Sequence, residues 1–258
     1  PMARNATETR QIVEAFAAAG VPLYSAYYRR GHERFHVIKK MIAEGKIGDI
    51  VHVHYEMIRP HHVYKSGLDG WRFQPQHSGG GLIMDVGVHT LDILDFLVGE
   101  ISDVHGHAQR VANEGYSVED SVAMCFKIGP ALGTASWNFA GSSFKDLIVI
   151  HGNKGTLSFS TFQDDPVVLR TADPDHVGDF NAHKENIFEF DLPKHAQQPL
   201  IQMIVDHLLQ KSDICPSSGE NALRVAVVVD AALESYYKGR HDKFWERPET
   251  WGPDSSSK

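Results

Sequence analysis

Cysteine is scarce in this 258-residue sequence. Cys125 and Cys215 stand far apart, in neither a C-x-x-C pair nor a disulfide framework, so both are expected as reduced thiols in a cytoplasmic protein. No apolar run reaches the length needed to span a bilayer, and the opening PMARNATETR has no hydrophobic leader core. Basic stripes are missing too: the net charge is -8, which argues against a phosphate-binding surface and against nucleic acid as partner. A dinucleotide fingerprint of the form G-x-G-x-x-G is absent as well, and the one glycine cluster, Gly79 to Gly81, has the wrong spacing for it. What remains is an ordinary globular composition, 42% hydrophobic and 22% charged, with 16 histidines and a small molecule as the expected partner.

The order of elements points to a mixed α/β chain. ATETRQIVEAFAAAG has helical spacing, with Ile12, Val13, Phe16 and Ala19 on one side and Gly20 as its stop. VPLYSAYY then reads as a short buried strand, and together the two make half of an α/β unit with no partner strands before it. A second helix carries Phe35, Ile38, Met41 and Ile42 and closes at Gly45. IVHVHYEMI alternates, with Val51, Val53, Tyr55 and Met57 on one face and His52, His54 and Glu56 on the other. From residue 101 onward strand patterns follow one another. Hairpin signals stand at Gly129-Pro130 and Asn153-Lys154-Gly155, which predicts a large, mainly antiparallel open sheet. Two helices close the chain, one beginning at Pro199 and one ending at Gly239.

Between the first long strand and the sheet lies the stretch around which the rest is arranged, Ser78 to Gly99. Asp85 and His89 are four residues apart and stack on one side of a predicted helix, while Ile83, Val86, Thr90, Ile93 or Leu94, and Leu97 form its core stripe. Three glycines before it let a ligand or another backbone approach the first turn. Asp85 read alone is a helix-start charge and His89 a satisfied half-buried histidine. Read together, they are two side chains able to handle a proton that face one hollow. Asp92 lies on the same side, with a structural role expected. The loop from Arg59 to Ser78 brings His61, His62, Tyr64, Trp71 and Arg72 before this helix, and loops of that length are commonly functional.

The pieces in order resemble the glucose-fructose oxidoreductase and inositol dehydrogenase family, Gfo/Idh/MocA. Pro1-Met2-Ala3 is similar to the tail of its Glu-Lys-Pro motif, and Tyr27-Tyr28-Arg29-Arg30 to its aromatic-x-Arg-Arg segment. Trp71-Arg72, Ser78 to Gly81, Asp85 and His89 match its W-R…GGG…D-x-x-x-H signature, with Glu119-Asp120, Gly152 to Gly155 and NALRVAVVVDAALESYY completing the set.

The resemblance implies an α/β fold: residues 1–30 as the trailing edge of a Rossmann domain, 31–245 as a substrate-binding and assembly domain built on an open sheet, and 246–258 as a flexible tail. It implies an NAD- or NADP-dependent oxidoreductase acting on a sugar, polyol or related CH–OH or carbonyl compound, and a homodimer or homotetramer formed through the sheet. Asp85 and His89 take the proton-handling roles. Tyr28, Arg29, Trp71, Arg72 and His195 line the substrate pocket, and Pro1 and Arg29 touch the cofactor. For Arg29 and Arg30 a pair of surface charges is the competing reading, and for Trp71 plain packing. The lysine of the family motif would precede Pro1, so the chain is expected to be a fragment without dinucleotide binding of its own.

Two other classes are weighed. His32-Glu33-Arg34-Phe35-His36 matches H-E-x-x-H, a zinc hydrolase pattern, with Glu56 as a conceivable third ligand, although Glu56 falls on a strand where such an enzyme presents a helix. A non-catalytic assembly module with one apolar sheet face exposed is the other.

Overall fold

A computed structural model describes residues 1–60, 70–112, 115–173, 175, 179, 182–214 and 216–252. His61, His62, Tyr64 and Cys215 lie outside the described residues. The backbone of the molecule is an eight-stranded sheet in the order β2-β3-β4-β1-β5-β6-β7-β8. Its strands are β1 Ile50–Pro60, β2 Ile101–Gln109, β3 Ser121–Ile128, β4 Ala131–Asn138, β5 Ala140–Gly152, β6 Gly155–Phe159, β7 Val167–Ala172 and β8 His183–Phe188. Every neighbouring pair is antiparallel except β1 and β4, which run parallel. Both expected hairpins form, β3 to β4 through Gly129 and Pro130, and β5 to β6 through Asn153 and Lys154.

One sheet face is the core. Val53, Tyr55 and Met57 of β1 are buried, as alternation requires. Val51 was expected beside them but is exposed, because the register slips between Ile50 and His52 and turns it outward. The helices covering this face are α2 Glu33–Ala43, α4 Val88–Leu97 and α6 Gly219–Tyr237. Helix α6 starts with a reciprocal cap, Ser218 accepting from Asn221 N–H while Asn221 accepts from Ser218 N–H. The short α3 Pro75–Ser78 and α5 Gln198–Leu208 lie between these elements in sequence.

Three expectations change. The strand predicted at 21–28 is a single antiparallel bridge, Tyr24 to Ser218, followed by a 3-10 turn over Tyr28–Gly31. Among the described residues the backbone of this stretch pairs in strand fashion only with the short segment 217–219, which then turns into α6. Helix α1, Ala6–Ala19, is capped by Asn5 at its start and by left-handed Gly20 at its end, and it packs on α6. Its apolar side is only partly covered, and Phe16 stays exposed. Finally, residues 244–252 are held down instead of trailing away. Trp251 meets the rings of Tyr237 and Phe244 and donates its indole N–H to Phe244 O, and Gly252 N–H donates to Tyr236 O.

Candidate active site

The glycine triplet turns out to admit backbone. Gly79 adopts φ 82, and a Cβ there would lie 2.3 Å from Arg4 O, while one on Gly81 would lie 2.1 Å from Glu119 O. The buried Glu119 carboxylate accepts Gly81 N–H at 2.9 Å on both oxygens and the Tyr237 hydroxyl as well. Arg240 completes the clamp by donating to Gly79 O and Arg4 O. Hydrogen bonds to main chain thus fix the entry to the central helix, and with it the chain start beside that helix.

The helix itself begins as a π turn, Ile83–Gly87, before continuing as α4. Single π turns widen the helical path and occur often at functional sites. The predicted stripe is buried in full: Ile83, Val86, Thr90, Ile93, Leu94 and Leu97. Asp85, half-buried, accepts from Arg72 Nε at 2.8 Å. Arg72 comes from the 3-10 turn Trp71–Phe73, and its guanidinium lies over the Trp71 ring at 4.6 Å. Asp85 and Trp71 line a hollow of about 180 Å³ with Pro1, Met2 and Arg4. Arg72 therefore holds the carboxylate in place, where a direct pocket contact was expected of it.

His89 sits among rings. Its imidazole meets Tyr27 edge-on at 5.7 Å, Tyr28 at 5.8 Å and Phe162 at 6.4 Å. Burial first, and then the Arg29 guanidinium, push its pKa down to about 3, so it is neutral at pH 7. Among the described residues no hydrogen bond joins Asp85 to His89, and Arg72 is the partner of the carboxylate.

Arg29 is buried, not a surface charge. It donates from Nε to Thr161 O at 2.9 Å and lies 4.6 Å over the Tyr28 ring and 4.3 Å over the Phe162 ring. Tyr28, Arg29 and Phe162 line a second hollow of about 190 Å³ with His32, Arg34 and Leu192. The single hollow expected for Asp85 and His89 is thus divided among the described residues. Asp85 opens on the first, and the ring neighbours of His89 wall the second. His195 is exposed and lines neither, although its neighbours Pro193 and Ala196 line the second.

Arg30 is also buried. It bridges Asp92 and Asp95 at 2.8 Å each, and Arg224 donates to Asp95 at 2.8 Å from α6. Burial raises the Asp92 pKa to about 7 against the pull of Arg30, and its role is structural, as expected. Thr161, Phe162 and Arg34 carry no motif and were missed; they follow β6 or sit inside α2 and converge only through the fold. The zinc pattern comes apart. His32 Nε2 engages Ala196 O at 2.8 Å, and His36 packs edge-on to Phe96 at 5.5 Å.

Comparisons with known proteins agree with this architecture. Residues 35–158 match the GFO/IDH/MocA C-terminal domain. An oxidoreductase of Formosa agariphila is 27% identical over 232 residues, covering 89% of this chain and 68% of that protein. A 1,5-anhydro-D-fructose reductase of Ensifer adhaerens is 29% identical over 167 residues, 61% of this chain and 47% of the reductase. The chain thus spans between about half and about two thirds of these relatives. Among solved structures, a levoglucosan dehydrogenase in complex with NADH and levoglucosan superposes with a TM-score of 0.75 at 22% identity, over 91% of this chain and 69% of that one.

Proposed function

We propose that the chain, similar to the Gfo/Idh/MocA oxidoreductases, forms the substrate-holding part of an NAD- or NADP-dependent enzyme that interconverts CH–OH and carbonyl groups on a sugar, polyol or related compound. The observation that supports the reading is a carboxylate and an imidazole four residues apart on the central helix, Asp85 opening on one hollow and His89 lying against the rings of Tyr28 and Phe162 that wall the other. The relatives named above act on or bind compounds of this kind.

The described residues themselves offer no cradle for a dinucleotide: they contain no parallel βαβ unit with a glycine-rich turn, and Gly79 and Gly81 are filled by Arg4 and Glu119. A dinucleotide would remove or deliver the hydride. Only the proton and the substrate are assigned to these residues. Neutral His89 presents a ring nitrogen that accepts the hydroxyl proton, and the aromatic wall of Tyr27, Tyr28 and Phe162 keeps water from it. Asp85, held by Arg72, orients the substrate at the first hollow, with Trp71 and Pro1 as its walls. Tyr28 and Arg29 bind substrate at the second, and Pro1 and Arg29 face the cofactor.

In this reading residues 1–30 are the edge of the dinucleotide domain and 31–245 the substrate domain. Assembly as a dimer or tetramer uses the outer sheet face, where Leu132 and Ile187 are 62% and 59% exposed. The test is turnover of a sugar and polyol panel with NAD⁺ and NADP⁺ by the protein as its gene encodes it, and by its His89→Ala variant. A loss of about 10²-fold or more on substitution is expected, and activity within a few fold of the parent would sink the assignment.

A further inference from the structure

We infer that the second hollow, between residues 28–34, 161–163 and 192–196, is an anion subsite that takes the carboxylate of a sugar acid whose reacting hydroxyl lies at His89. The inference rests on the function proposed above and narrows its substrate class.

The argument begins with how this protein treats its buried arginines. Arg30 has Asp92 and Asp95, and Arg240 has Asp230 at 2.8 Å. Arg29 and Arg34 are buried just as deeply, 8% and 4% exposed, yet among the described residues neither is paired with a carboxylate. Arg29 spends its Nε on Thr161 O, and Arg34 gives Nη1 to Gln163 O and Nη2 to Asp165 O. Arg29 Nη1 and Arg34 Nε are buried without a hydrogen-bond partner among the described residues. Unpaired buried cations are costly, and an arriving carboxylate would relieve the cost.

The buried Asp146 is felt by both guanidiniums through charge, and Arg34 also feels the charges of Asp165 and Asp164. The Asp146 oxygens are already engaged by the Tyr55 hydroxyl, the Ser160 hydroxyl and Phe162 N–H. The hollow's lining contains Arg29, Arg34 and His32 but no acidic side chain, while Leu192 and Pro193 add an apolar side. Guanidinium forks match a carboxylate geometrically. The wall made by Tyr28 and Phe162 also touches His89, so a ligand anchored by its acid group here extends towards that ring.

The test is calorimetric binding of D-glucuronate, D-glucose and inorganic phosphate to the protein at matched ionic strength. Glucuronate should bind about tenfold or more tightly than glucose, the worth of one charge-assisted contact. Arg34→Gln should remove that preference and leave glucose unchanged, whereas Arg34→Lys should keep part of it. Because Arg34 also secures two carbonyls, a salt series on the unaltered protein stands beside the variants: raising NaCl from about 50 to about 500 mM should weaken glucuronate and not glucose. Equal binding of the two sugars, no binding of glucuronate, or a folded Arg34→Gln variant with its preference intact would each overturn the inference. Phosphate binding as tight as glucuronate would make this a free-anion site and overturn the sugar acid. His89→Ala should abolish turnover yet leave glucuronate binding in place, so that a failure of the catalytic assignment is told apart from a failure of the subsite.

Discussion

Arg72 Nε lies 2.8 Å from Asp85 Oδ2 and ties the 3-10 turn at 71–73 to the π turn that opens the central helix. Both side chains are about 30% exposed, so the pair contributes at most about 1 kcal/mol to stability. Its value is positional. Arg72→Ala is expected to leave the melting temperature within a few degrees while lowering kcat/KM about tenfold, because a carboxylate free to rotate no longer meets the substrate in one pose. Steady-state kinetics beside a thermal melt check this; a large loss of stability with unchanged kinetics would reverse the assignment.

The depressed pKa of His89 makes a pH prediction of definite sign. Unfolded, the ring takes up a proton as the pH falls through about 6.5, whereas folded it stays neutral down to about 3. Between those values the unfolded state binds more protons, so stability falls on acidification and is fully present only above about 6.5. His89→Gln removes that contribution. Urea midpoints for parent and variant should therefore converge as the pH is lowered from 7 to about 4, by up to about 1.4 kcal/mol per pH unit. A difference that does not change with pH would show a ring that titrates normally.

Arg30 serves two buried carboxylates, Asp92 and Asp95, of which only Asp95 has a second cation, Arg224. Arg30→Met leaves Asp92 buried and uncompensated, at an expected cost of about 3–5 kcal/mol. Replacing Asp92 by Leu in the same chain should recover much of that loss, since an apolar pair needs no counter-charge. Chemical denaturation of the single and double variants decides it, and a double variant no better than the single one would show that Arg30 acts through packing alone.

Much of this was legible in the sequence because it depends on local periodicity. The period-2 alternation of Val53, Tyr55 and Met57 and the helical stripe from Ile83 to Leu97 each followed from side-chain spacing and were found buried as expected. Strand order was not legible: nothing in the sequence of β1 says that it pairs with β4 in parallel, because that partner is chosen by the whole sheet. Asp85 and His89 were identifiable as a pair, but their separation into two surroundings depends on Trp71, Arg72, Tyr28 and Phe162 arriving from three distant segments. Arg30 read as a surface charge for the same reason. The clue was two acids, Asp92 and Asp95, three residues apart in an otherwise apolar helix, which require a cation from elsewhere.

The glycine triplet supplies the last prediction, because of the two approaches it allowed, by a ligand or by another backbone, it is backbone that fills Gly79 and Gly81. Gly81 has ordinary backbone angles, so alanine would be tolerated there on conformational grounds and even favoured through the unfolded state. Space forbids it: the added methyl would meet Glu119 O at 2.1 Å, and the Glu119 carboxylate that accepts Gly81 N–H would be pushed off as well. Glu119 is fully buried, and losing that donor leaves it the Tyr237 hydroxyl, its own main-chain N–H and the charge of Arg240. Gly81→Ala is therefore expected to cost about 3 kcal/mol or more, combining overpacking with a weakened buried hydrogen bond. Gly115→Ala, where an added methyl meets nothing within 4 Å, should change stability little. Melting temperatures of the two variants, compared in one buffer, distinguish a clamp from an open entrance, since an entrance would tolerate alanine at both positions.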